Sequence, residues 1–66
     1  MFVLHLKSKR RQFRHFHQAL DHAYAIHSRA VVEWVWEGPV SGHHAIWRNE
    51  RSYRKGHKPF AIVREC

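Results

Sequence analysis

The sequence predicts an α+β fold: one long amphipathic helix packed on one face of a three- to four-stranded, mostly antiparallel sheet, in the order β-α-β-β-β. Three observations carry this expectation. Residues 2–6 alternate, Phe2, Leu4 and Leu6 against Val3 and His5, with the period of a half-buried strand. From Lys9 to about Ser28 there is neither Gly nor Pro, and apolar residues return at helical spacing. The rest of the chain holds three short runs rich in β-branched and aromatic residues, separated by Gly- and Pro-containing breaks.

Each element has its own justification. Ser8 stands where a helix N-cap belongs, and the Ala, Leu, Gln and Arg that follow favour a helix. At 100° per residue, Phe13, Phe16, Ala19, Leu20, Ala23, Tyr24 and Ile26 share one arc. Arg10, Arg11, Arg14, His15, Gln18, Asp21, His22 and Arg29 share the other, giving the helix a basic outer face. "AVVEWVWE" then reads as a strand, "GPVSG" breaks it, "HAIWRNE" resumes a shorter strand, and "RSYRKGHKP" is a polar loop before the last apolar run, "FAIV". The helix should lie over Phe2, Leu4, Leu6, Val32, Trp34 and Trp36, joined to the next strand by a right-handed crossover. The opposite face should carry Val3, Val31, Val35, Val63 and Trp47, apolar enough to suit a homodimer or partner interface.

Length and composition bound the function. Residues 1–66 suffice for a single domain with one core. Twelve Lys and Arg against five Asp and Glu give a formal charge of +7, dense for so small a surface and suited to a polyanion. Cys66 is the one cysteine, which excludes an intrachain disulfide and fits a reducing, cytoplasmic compartment. The opening "MFVLHLKSKRR" reads as neither a signal peptide nor a membrane span.

Two basic segments single themselves out. In the predicted helix, Lys9, Arg10 and Arg11 fall in the first turn, where free N–H groups and the macrodipole are already positive, and Arg14 follows one turn later. A bound phosphate would turn that repulsion into attraction. The loop then places Arg51, Arg54, Lys55 and Lys58 around Tyr53, with Gly56 allowing close approach and Tyr53 a stacking surface. Convergence of the two segments predicts a non-catalytic nucleic-acid-binding protein, contacting DNA or RNA through Lys9, Arg10, Arg11, Arg14, Arg51, Tyr53, Arg54, Lys55 and Lys58. The rival is an inhibitor of viral or mobile-element type that docks on an acidic nucleic-acid-binding surface of a host enzyme. The bland alternative is a solvated charge run that keeps a small protein soluble.

Other chemistries find less support. His15 and His17 should lie on opposite sides of the helix, and although His17 and Asp21 share a face, two ligands make at best a weak site, so neither a metal nor another cofactor is expected. His27, on the apolar arc, reads as a hydrogen-bonded core residue. His43, His44, His57, Arg51 and Lys55 have the residue types of a small metal-independent nuclease, but eight His in 66 residues make such neighbours common by chance, and no catalytic residue is assigned. A basic amphipathic helix could also lie on an anionic membrane, but here its apolar arc is needed to cover the sheet.

Overall fold

The computed structural model describes residues 1–39 and 41–66. It is a small α+β domain with a five-stranded antiparallel sheet and two helices. The elements are β1 (Phe2–Leu6), β2 (Arg10–Phe13), α1 (Phe16–Ile26), β3 (Val31–Trp36), β4 (Gly42–Trp47), α2 (Glu50–Arg54) and β5 (Ala61–Glu65). The strand order is β2-β1-β5-β4-β3.

The expected long helix is divided in two. Its first third is β2, which pairs with β1 in a tight hairpin closed by the Leu6 N–H donating to the Lys9 carbonyl, 2.7 Å. Alternation explains why the strand wins here. It turns Phe13 to the core face beside Phe2 and leaves Arg10 and Gln12 on the other, whereas a helix would stack three cations on its positive pole. The expected N-cap, Ser8, lies in the hairpin turn. The helix starts at His15, whose backbone N–H donates to the Gln18 side chain, 3.1 Å. The helix crosses from β2 to β3, the two edge strands, which four antiparallel pairings leave running in the same direction.

The "GPVSG" break separates β3 from β4, with Val40 outside the described residues. The polar loop holds the second helix. Asn49 caps α2 by accepting from the Ser52 N–H, 2.8 Å. Glu50 and Arg54 pair at i, i+4, and Gly56 terminates the helix in the left-handed region at φ 73°.

The core lies between α1 and one face of the sheet. Leu4, Ile46 and Val63 are fully buried there, with Ala19, Ala23 and Ala61. Small residues on α1 let its backbone approach the sheet closely, while Phe2, Leu6, Phe13, Phe16, Leu20 and Val32 fill the margin. Tyr24 and Ile26, expected on the apolar arc, are exposed. The helix packs over β1 and β2, and Trp34 and Trp36, expected beneath it, stand in the open on β3.

The other face also differs from expectation. Val63 points into the core, not outward. Val3, Arg64, His43 and Val35 form one row across the sheet by register, so a charged side chain crosses the supposed apolar surface. At one end α2 rests on it, with Tyr53 edge-on to Trp47 at 4.9 Å and the Trp47 indole N–H donating to the His57 carbonyl, 2.6 Å.

Candidate nucleic-acid interface

The register fixes which charges share an end of the molecule. Leu6, Ala61, Ile46 and Val32 lie side by side in one row. Beyond that row the chain carries the hairpin tip 7–9, the segment 48–60 and the turn before β3. These hold Lys7, Lys9, Arg29, Arg48, Arg51, Arg54, Lys55 and Lys58, eight of the twelve Lys and Arg. Glu50 is the only carboxylate carried by those segments among the described residues, and it is spent on Arg54 at 2.7 Å, while the Glu33 carboxylate of β3 lies beside the Tyr53 hydroxyl of α2. The carboxyl end of α1 lies at the same end of the sheet, where His27 meets Phe60 edge-on at 4.6 Å, and its negative pole favours the cations.

The nine predicted residues are thus partly gathered. Lys9, Arg51, Arg54, Lys55 and Lys58 share the basic end. Arg10 and Arg11 follow on β2 but point to opposite faces of the sheet, and both are exposed. Arg14 lies past Phe13, whose partner is Phe2, and so at the far end. Tyr53 is half-buried and already engaged: its ring meets Trp47 edge-on, and the Glu33 carboxylate beside its hydroxyl, with burial, raises the phenol's pKa. It braces α2 on the sheet and is not a free stacking surface. Lys7, Arg29 and Arg48, which sequence reading left out, join the end because register places them there.

The far end is balanced internally. Arg64 donates both guanidinium arms to Glu37, at 2.6 and 2.7 Å, the bidentate geometry that gives Arg–carboxylate pairs their strength. Buried His43 brings Nδ1 to 3.1 Å from the same carboxylate. Nδ1 has no hydrogen-bond partner among the described residues. Arg64 first, with His43 adding its charge, holds the Glu37 carboxyl below its ordinary range, against a smaller opposing effect of burial.

Next to His43 on β4, His44 faces the core side, 4.4 Å from Phe16 and 4.8 Å from Trp34. Burial there, and secondarily the charge of His43, lowers its pKa.

Both shifts have the same sign for stability. A carboxylate lowered from 4.5 loses its contribution as pH falls below that value and through its folded pKa. A His lowered from 6.5 favours the folded state above that value and opposes it as pH falls below. Thermal melts should therefore show two acid steps, one starting below pH 6.5 and one below 4.5. Glu37→Gln should lower the melting temperature at pH 7 and erase the second step alone. Retention of that step in the variant would place its origin elsewhere.

The three histidines weighed for a nuclease lie apart in the fold. His43 and His44 point to opposite faces of one strand, and His57 follows α2 at the basic end. His15 and His17, expected apart, stack at 5.6 Å, because His15 is the extended cap and not a helical residue. His27 packs against Phe60, and among the described residues its side chain makes no hydrogen bond of the kind expected of it. Among the described residues no three His, Cys, Asp or Glu side chains converge for a metal, and no helix is long and apolar enough to cross a membrane.

The chain matches no protein-family model, no curated protein and no solved structure, so its function is read from its own residues.

Proposed function

We propose that the protein binds nucleic acid non-catalytically, through phosphate contacts from the basic end of the sheet. The observation that supports this most is the one-ended charge: eight Lys and Arg on segments that carry a single, internally paired carboxylate among the described residues. Such a distribution costs self-repulsion in the free protein and returns it on contact with a polyanion, whose released counterions supply the affinity.

The reading differs from its sequence-based form in one respect. The argument from cations at a helix entrance does not apply, because Lys9, Arg10 and Arg11 precede and form a strand. In its place stand the hairpin tip 7–9 with the edge strand β2, and the α2 segment at the same end of the sheet. Their exposed Lys and Arg suit backbone contact on either DNA or RNA.

The test is fluorescence anisotropy of labelled duplex DNA and of duplex and single-stranded RNA, titrated with the protein from about 50 to 200 mM salt. A steep linear fall of log K with log salt supports the proposal and identifies the polymer. Negligible binding at the lower salt overturns it and directs the same charge to an acidic protein surface, the inhibitor reading.

A further inference from the structure

The sheet has two free edges, and they are guarded differently. β2 carries Arg10 and Arg11, with Arg14 following, cations on both faces of the kind that prevent edge-to-edge pairing. β3 reads "VVEWVW" and has no cation. Its core-side face presents Val32, Trp34 and Trp36, with Trp34 44% and Trp36 67% exposed. The two indoles are edge-to-face at 5.5 Å. The Trp34 ring packs on Gly42, where a Cβ would come within 2.4 Å of it, so one side of the indole is seated on the neighbouring strand.

The backbone of this edge can be read as well. The Glu37 N–H donates to the Ser41 carbonyl of the neighbouring strand, 3.1 Å. Alternation then directs the groups of Val31, Glu33 and Val35 inward to β4 and those of Val32, Trp34 and Trp36 outward.

We propose that this edge pairs with the same edge of a second copy, β3 against β3 antiparallel about a two-fold axis through Trp34, joining two sheets into one of ten strands. Charge selects the register. Two-fold pairing keeps side chains on matching faces only when the axis passes through a residue. An axis through Glu33 sets Glu33 against Glu33, and an axis through Val35 sets Glu33 against Glu37, both unfavourable. An axis through Trp34 sets Glu33 against Val35 and Glu37 against Val31, separating the carboxylates. It also brings Trp34 against Trp34 and Trp36 against Val32, so that four indoles close over one another, and the outward backbone groups of 32, 34 and 36 meet partners.

Area sets the strength. A fully buried aromatic covers about 150–250 Å², so four half-exposed indoles and one strand pair bury less than the ~1,200 Å² lower bound of a stable interface. The dimer is accordingly weak. Both basic ends remain open in it, so this inference is independent of the nucleic-acid reading.

Sedimentation of the full chain, in low and in 300 mM salt without nucleic acid, tests it. A concentration-dependent monomer–dimer equilibrium is expected, and a chain that stays monomeric at several hundred micromolar overturns the proposal. Trp34→Lys places two cations at the axis and should weaken the dimer more than tenfold, whereas Arg14→Gln should change it less than twofold. The register is checked separately by cross-linking in a Cys66→Ser background. Residues opposite in a hydrogen-bonded pair have Cα atoms about 5.5 Å apart, within disulfide reach. Trp34→Cys should therefore form a disulfide with its own copy on mild oxidation, and Glu33→Cys and Val35→Cys should not. Cross-linking at 33 or 35 in preference to 34 overturns the register.

Discussion

Leu4→Ala should remove about half of the stability of this domain. Leu4 is fully buried where β1 faces α1, between its cross-strand neighbours Arg11 and Val63. Truncation costs the transfer free energy of the lost atoms and leaves a cavity, together about 2–5 kcal/mol. A chain of this length holds only about 3–10 kcal/mol in all. At about 4–8 °C per kcal/mol the melting temperature should fall by roughly 10–30 °C. Leu4→Met, which conserves volume, should cost less than about 1.5 kcal/mol. Circular dichroism melts decide it: a fall of less than ~5 °C for the alanine variant, about 1 kcal/mol, would mean that Leu4 does not sit at the centre of the core.

The largest effect on binding should come from removing charge at the basic end while leaving the fold alone. Arg51, Lys55 and Lys58 are exposed and make no ion pair among the described residues. Changing all three to Gln should leave the melting temperature within a few degrees, because exposed charges contribute little to stability. It should also lessen the slope of log K against log salt by about 3 and weaken nucleic-acid binding roughly 10²–10³-fold near 0.1 M salt. Arg14, at the other end of the sheet, is the matched control, and Arg14→Gln should cost no more than about twofold. An equal loss from both variants would mean diffuse attraction and not a surface. Arg10→Gln and Arg11→Gln separate the faces: since the two side chains leave β2 in opposite directions, only one is expected to matter for a polymer that lies against one side.

What the sequence disclosed depended on whether each element had a local signal. The alternation of Phe2, Leu4 and Leu6 and the β-branched run at 31–36 were legible because burial on one face leaves a period. The β1–β2 hairpin was not. Its turn, Lys7 and Ser8, contains no Gly, Asn or Asp, and among the described residues no non-Gly residue adopts a positive φ. Lacking a turn signal, "KRRQF" merged into the helical pattern that follows, to which its spacing also conforms. α2 had a readable signature, Asn49 as cap, Glu50 in the first turn and Gly56 after the last. A helix of five residues shows no amphipathic period, however, and the charges dominated the reading. For the interface, the two basic segments were visible as composition, but their convergence is a matter of register. The pairing of Leu6 with Ala61 and of Ala61 with Ile46 puts the hairpin tip and the α2 segment at one end of the sheet, and it sends Arg14 to the other.

The strand order carries a consequence for how the molecule assembles. β5, last in the chain, occupies the middle of the sheet, and every backbone hydrogen bond between the β1–β2 hairpin and the β3–β4 hairpin passes through it. Until β5 inserts there are two separate two-stranded ribbons, neither of which is stable alone in water. Its docking beside β1 closes a loop of nearly the whole chain, an entropic cost met before any cross-sheet contact rewards it. Folding should therefore be all-or-none and slow for so short a chain, in the millisecond-to-second range of non-local topologies, with insertion of a central keystone as the committing step.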